Sequence, residues 1–387
     1  MKQFILLGIL FFATSFSAQE RTNKKGSEYQ FTVVKEIDAT AVQNQNQTST
    51  CWSFSSLSFF ESELIRMGKG KDFNLSEMFV VRKVYPMKAD NYIRMHGKTN
   101  FAEGGGFPDV LAVMKQYGMV PEEVYTGKKD VSAPHNHKLL ETTLKNILIP
   151  AAQDETQRID FSFLHNSINA ICDEYLGKVP ETFDYKGKNY TPKSYLAATG
   201  IQPDDYIILT SFAHHPFYSS FVLEIPDNWN WQTAYNVPLE DLKTIMQQSL
   251  QNGYTFAWGA DVSEKTFLRA DGLALLPEKP FQSMSEEERK SLATKPVTQL
   301  AVTQEIRQKA FDNYETQDDH GMHITGMVKD QNGTLYYTVK NSWGTEVNQC
   351  GGYFYASESY VLCKTTSIML HKKAIPAPIA KKLGIQQ

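Results

Sequence analysis

From about Asp205 onward the sequence changes texture, and this change constrains the fold more than any single motif. Upstream, apolar residues recur at helical spacing. Downstream, β-branched and aromatic runs at 206–210, 254–260, 324–330, 334–340 and 352–356 are separated by turn residues and read as strands. A helix is expected over 238–251, and residues 31–44 read as an extended segment. Residues 128–200 are charged and amphipathic, are interrupted by Pro150, Pro180 and Pro192, and read as a mainly helical insertion. No internal repeat or low-complexity tract is visible. The expected class is α+β. An N-terminal arm and helical lobe occupy 19–127, a helical insertion 128–204, and a β-rich lobe with a C-terminal tail 205–387.

A chain of 387 residues, 41% apolar and 12% aromatic, buries a sizeable core without staples. This excludes a disordered, collagen-like or disulfide-scaffold protein. Lys and Arg number 39 against 43 Asp and Glu, a formal net charge of -4 with no long basic stretch. Nucleic acid and an anionic membrane surface are therefore not expected as main partners.

Met1-Lys2, the apolar run from Phe4 to Phe12 and the small residues Ser15, Ser17 and Ala18 have the layout of a secretory signal peptide over 1–18. The run is too short for a membrane-spanning helix, which needs about 20 residues. The sequence reading is thus an exported protein, periplasmic or secreted, without a stable membrane anchor. An even number of cysteines in an exported chain invites a disulfide reading. Cys350 and Cys363 are close enough to bridge, whereas Cys172 has no evident partner.

Cys51 stands in another context. Phe54, Leu57, Phe60, Leu64 and Ile65 give one apolar helical face, Gly68 supplies a stop, and Ser49 or Thr50 can cap the start. Cys51 then sits in the first turn of a buried helix, where unpaired N–H groups favour thiolate over thiol. Gln45, six residues upstream in a polar loop, can bring its amide beside the Cys51 N–H. Two such donors make an oxyanion hole. A second helix opens at Asn74-Leu-Ser-Glu77 with Ser76 as cap. A third spans Phe107 to Tyr117 after the glycine loop 104–106 and stops at Gly118.

The segment His320-Gly-Met-His-Ile-Thr-Gly326 leads into a strand, and Asn341-Ser-Trp-Gly344 ends the next one. A hairpin turning near 330–333 brings the two segments together. An imidazole oriented by an Asn can take a thiol proton, which is the logic of a Cys-His-Asn site. Trp343 would shield the pair from water. Asp318 and Asp319 read as a solvated pair that, if buried, would raise the imidazole pKa. His135 and His137 read as a loop pair without ligand partners, and His214-His215-Pro216 as a turn. No metal or organic cofactor is implied, and Asp261 has no role that the sequence supplies.

These residues resemble the papain-type cysteine peptidases. Val42-Gln-Asn-Gln45 followed by Cys51-Trp-Ser-Phe54, then Gly105-Gly106, His320-Gly-Met322 and Asn341-Ser-Trp-Gly344 are similar to the family signatures, in the family order. Tyr235-Asn-Val-Pro238 and Gly259-Ala-Asp-Val262 bring the likeness closer to the bleomycin hydrolase and aminopeptidase C branch, which also carries extra helices near 128–200. The resemblance covers roughly 35–375 and implies a papain-like two-lobed fold with a β-barrel-like right lobe. It implies Cys51 as nucleophile, Gln45 in the oxyanion hole, His320 as base in preference to His323, Asn341 as orienter and Trp343 as their cover. Gly105, Gly106 and Phe107 would meet a peptide substrate. Thr48 stands where secreted relatives carry a disulfide cysteine. The sequence given stops at Gln387, short of the C-terminal arm that restricts the branch to free amino termini, which also argues against carrying over its homo-hexamer. The implied activity is therefore a cysteine-type peptidase, acting as aminopeptidase or endopeptidase. The alternatives are a catalytically silent peptide- or protein-binding relative, or a thiol acyltransferase or amidase.

Overall fold

Helix α1 runs over Cys51–Arg66 and is followed by Gly68 at φ +74, a left-handed position that ends it. The computed structural model describes residues 21–153 and 160–387, so the segment 1–18 expected as a leader lies outside the described residues. Strand β1 (Thr32–Glu36) precedes α1, and α2 (Glu77–Arg94) and α3 (Phe107–Tyr117) follow it. Ser76 caps α2 by accepting from Phe79 N at 3.0 Å. Gly118, at φ +92, stops α3.

The sequence expects one buried face on α1; the structure buries almost the whole helix. Its polar residues are consequently all engaged. Ser53 Oγ donates to Glu77 O at 2.9 Å, Ser55 Oγ to Cys51 O at 2.7 Å and Ser62 Oγ to Asp38 O at 3.0 Å. Glu61 accepts from Leu75 N at 2.8 Å, and Glu63 accepts from Arg66 and from the Tyr206 hydroxyl. The helix lies between the two lobes, so neither side faces water. Serines that bond back to their own helix solve the satisfaction problem that burial creates.

The 128–204 region holds α4 (Lys138–Gln153), α5 (Phe161–Leu176), a hairpin of β2 (Phe183–Tyr185) with β3 (Lys188–Tyr190), and α6 (Pro192–Thr199). Leu140, Leu144 and Leu148 of α4 and Leu164, Ile168, Cys172 and Leu176 of α5 recur at helical spacing and join the core of α1 to α3. Arg82 of α2 ties α5 down through Asp173 at 2.7 Å.

The second lobe is one mainly antiparallel sheet. Its strands are β4 (Tyr206–Thr210), β5 (Ser219–Val222), β6 (Thr233–Asn236), β7 (Phe256–Ala260), β8 (Phe267–Leu268), β9 (Leu273–Ala274), β10 (His320–Lys329), β11 (Leu335–Lys340), β12 (Tyr353–Ser357) and β13 (Thr365–His371). The spatial order is β5-β6-β4-β13-β7-β10-β11-β12-β9-β8. Strand β10 is shared. Its first half pairs with β7, His320 opposite Ala260, and its second half pairs with β1, Gly326 opposite Glu36. Helix α7 (Leu239–Gln251) covers one face with Leu242, Ile245, Met246 and Leu250. The β10–β11 turn is set by Asp330, whose Oδ1 accepts from Asn332 N and Thr334 N at 2.9 Å each.

Three expectations change. Strands β5, β6 and the central β13 have no counterpart in the sequence reading. Thr50 occupies the N-cap of α1 but its side chain caps nothing, bonding instead to Thr48 Oγ1 at 2.7 Å. Cys350 and Cys363 do not bridge; all four cysteines are free, Cys350 Sγ donates to Asn23 O at 3.1 Å and Cys363 is buried.

Candidate active site

Because Thr50 leaves the head of α1 uncapped, the first N–H groups of the helix stay available to the Cys51 side. The backbone N–H groups of Gly321 and Trp52 lie near enough to favour the Cys51 thiolate. A Cβ on Gly321 would meet Ser55 Oγ at 2.8 Å, Trp52 Cα at 3.2 Å and Cys51 O at 3.3 Å. Only glycine lets α1 come this close to β10.

His320 heads β10 and Asn341 follows β11. Their meeting follows from the hairpin, and His320 Nε2 lies 2.8 Å from Asn341 Oδ1. Asn341 Oδ1 also accepts from Ser342 N at 2.8 Å, which fixes the amide. The indole of Trp343 stacks on the imidazole, centroids 4.5 Å apart and 21° between planes. Gln45 is buried near the same strand end. Its Oε1 accepts from Ser342 Oγ at 2.7 Å, its Nε2 donates to Thr48 O at 2.7 Å, and its backbone N–H donates to Ser342 O at 2.9 Å. One amide hydrogen of Gln45 is left over.

Cys51, His320, Gly105, Gly106 and Phe107 line one cleft of about 650 Å³; Gln45, Asn341 and Trp343 do not line it and stand behind. The glycine loop is held from below. Lys88 donates to Ala102 O at 2.7 Å and to Gly104 O, and Gly106 N donates to Asp109 Oδ2 at 3.0 Å. Asp109 also accepts from Trp229 Nε1 at 3.0 Å and Asn230 Nδ2 at 3.1 Å.

The cleft walls favour neutral groups. Burial pushes the Cys51 thiol up to about 12, against the N–H groups of Gly321 and Trp52, which favour thiolate. Burial pushes His320 down to about 4; the Asn341 bond opposes this and Arg269 adds to it. The low thiol pKa expected from the helix start alone is therefore outweighed by desolvation. Asp318 does not act as expected either. It is buried beside Asp227, is pushed up to about 8, and so offers His320 no fixed counter-charge at neutral pH.

His323, the rival base, lies on the opposite face of β10. It is fully buried, with Nδ1 2.9 Å from Ser58 Oγ, and does not line the cleft. His135 and His137 pack edge to face against each other at 6.1 Å, away from the cleft. His214 and His215 both meet Glu224, at 3.1 and 2.7 Å. The sequence supplies no role for Asp261, and the structure does. Its carboxylate accepts from Ser263 N and from Gln317 N, each at 2.7 Å, and so ties the end of β7 to the segment that leads into His320.

Helical lobe, sheet lobe and the cleft between them define a papain-like cysteine peptidase. The chain belongs to the peptidase C1-like family, which matches residues 13–386. It is 25% identical over 367 residues to an aminopeptidase C of Lactococcus lactis subsp. cremoris, covering 86% of this chain and 80% of that protein. It is 23% identical over 384 residues to an aminopeptidase G of Lactobacillus delbrueckii subsp. lactis, covering 87% and 82%. The crystal structure of PepW from Lactobacillus rhamnosis HN001 superposes with a TM-score of 0.71 at 21% identity, covering 91% of this chain and 84% of that one. The chain is an aminopeptidase C-like cysteine peptidase.

The expectation of export is corrected by the same comparisons. The family match begins at residue 13, inside the segment assigned to a leader, and the aminopeptidase C relatives belong to an intracellular group. Among the described residues no helix is long and apolar enough to cross a membrane.

Proposed function

We propose that the chain hydrolyses peptide bonds through Cys51, His320 and Asn341, releasing residues from a free amino end. The observation that carries this reading is the pairing of His320 Nε2 with Asn341 Oδ1 at 2.8 Å while the ring faces the cleft that holds Cys51. That bond leaves Nδ1 for the thiol.

The Cys51 proton passes to His320 Nδ1 as the sulfur attacks the substrate carbonyl carbon. Each group becomes the other's counter-ion, which offsets the burial that keeps both neutral at rest. The oxyanion sits between the Cys51 N–H and the remaining amide hydrogen of Gln45. His320 returns the proton to the leaving amine, and water then hydrolyses the thioester with His320 as base. Gly105 and Gly106 offer backbone groups to the extended substrate. On this reading 19–127 with the insertion 128–204 builds the nucleophile side of the cleft, and 205–387 the side of the base.

Action at an amino terminus is supported by relatives named aminopeptidase C and G. The test is turnover of a free-amino peptide by the full chain, with Cys51→Ala as control. Loss of turnover in Cys51→Ala is expected; full turnover in that variant refutes the assignment. A silent binder would hold the peptide without cleaving it, and an acyltransferase would divert the acyl group to an added amine.

A further inference from the structure

Two acidic residues reach the cleft from separate loops. Asp318 stands two residues before His320, and Asp227 lies between β5 and β6; both line the same wall as Cys51. Asp227 is packed so tightly against Gly104 that a Cβ there would stand 2.1 Å from its Oδ2. Asn100 Nδ2 holds its Oδ1 at 2.9 Å. The Asp227 charge acts on the Asp318 carboxyl, and both residues line the same cleft.

Acidity alone does not make a site. Asp109 and Asp319 line the same cleft, but their oxygens are engaged, Asp109 by three donors and Asp319 by Val262 N at 2.9 Å. Asp318 differs. Its Oδ2 is buried with no hydrogen-bond partner among the described residues. Lys88 is the cation that acts on Asp227, yet its hydrogens go to Ala102 O and Gly104 O. The cleft is therefore lined by two acidic residues with no ion pair among the described residues, one of them with a buried oxygen that lacks a donor. Burial raises both above the ordinary carboxyl range, and the Asp227 charge raises Asp318 further. A cation placed between them would relieve both effects.

We propose that Asp227 and Asp318 form a subsite for an ammonium group of the substrate, held beside Cys51 and delivered either by a free α-amino terminus or by a basic side chain. This rests on the peptidase reading of the cleft and names what the cleft selects. Residues 377–387 lie elsewhere, with Gln387 Nε2 on Lys372 O and Ile375 O, and contribute nothing to the lining.

The test uses the full chain carrying Cys51→Ala, so that binding is read without turnover. Calorimetry compares a free-amino tripeptide amide, its N-acetylated twin, and an N-acetylated peptide carrying lysine. The expected result is tighter binding of at least one cationic peptide, by about ten- to a hundredfold, over the neutral twin. Asp318→Asn, and separately Asp227→Asn, should erase that difference; the second variant serves if the first fails to fold. A gain confined to the free-amino peptide assigns the α-ammonium, and one confined to the lysine peptide assigns the side chain. Equal binding of all three, or binding of none, overturns the subsite. Turnover by the Cys51-intact chain is measured separately. Charge-dependent binding without turnover sinks the peptidase reading alone, and turnover with charge-blind binding sinks the subsite alone.

Discussion

His320 and Trp343 lie face to face, centroids 4.5 Å apart, and the Arg269 guanidinium covers the Trp343 ring at 4.2 Å. The order is guanidinium, indole, imidazole. The indole closes the His320–Asn341 bond from water, while the cation makes protonation of His320 harder. Replacing Arg269 by Gln should make His320 a stronger base, so the acid limb of kcat/KM, where His320 takes up a proton and can no longer accept the thiol's, should move to higher pH. A profile that does not move would show that the stack is packing alone. Trp343→Ala should instead lower kcat by opening the pair to solvent.

Cys51 and His320 are each pushed towards neutrality by burial, the thiol to about 12 and the imidazole to about 4. On the proposed mechanism the thiol loses its proton near neutral pH by handing it to His320. In His320→Ala, alkylation of Cys51 by iodoacetamide should therefore retreat to alkaline pH, above the free-thiol value of about 8.5. In the parent chain it should proceed at pH 6 to 7. Neutral-pH alkylation that survives in His320→Ala would mean that the helix start activates the thiol unaided.

Asn341 holds His320 through one bond, and on the proposed mechanism His320 becomes charged during the reaction. Such bonds contribute about 1.5–3 kcal/mol, so Asn341→Ala should lower kcat/KM by about ten- to a hundredfold. If Gln45 donates to the oxyanion as proposed, Gln45→Ala should cost about 100- to 1000-fold in kcat with little change in KM. A rise in KM at constant kcat for Gln45→Ala would remove it from the oxyanion hole.

Local signals in the sequence carried what local physics decides. The stop at Gly68, the helix from Phe107 to Gly118 and the hairpin that joins His320 to Asn341 each depend on a few neighbouring residues. What could not be read depends on distant partners. The serines and glutamates of α1 look like a solvent face until both lobes close on them. Strand β13 follows the helix Glu358–Lys364 with no turn residue between them, so no punctuation marks it. Asp318 looked solvated because its neighbour Asp227 is supplied by another loop, and desolvation of Cys51 depends on walls that the sequence around it does not contain.

Asp109 makes the glycine loop sensitive to pH. Burial raises its carboxyl from 3.8 to about 6, so the proton is bound more tightly in the folded chain. The stability this contributes is fully present below pH 3.8 and is lost as pH rises through 6. Asp109→Asn, which cannot ionise, should flatten this part of the Tm profile. Asp109→Ala leaves three donors without acceptors and should lower stability by about 1–3 kcal/mol at every pH. Parallel Tm profiles for the parent and Asp109→Asn between pH 4 and 7 would contradict the assignment.

Gly321 decides how near α1 comes to β10. An alanine there would press its Cβ on Ser55 Oγ at 2.8 Å and on Trp52 Cα at 3.2 Å. The hydroxyl can rotate away, but the helix backbone cannot, so α1 and β10 must part by a few tenths of an ångström. Stability should suffer modestly, since one methyl enters a packed contact, at about 1–3 kcal/mol. Catalysis should suffer more, because reacting groups misplaced by about 1 Å lose on the order of 100-fold. Gly321→Ala is expected to keep its fold and to lose about tenfold or more in kcat, a loss scaled from that 1 Å figure. Adding Ser55→Ala relieves the first clash but not the second, and should restore Tm further than it restores kcat. Equal recovery of both would mean that the Ser55 contact, rather than the Cys51–His320 separation, is what Gly321 protects.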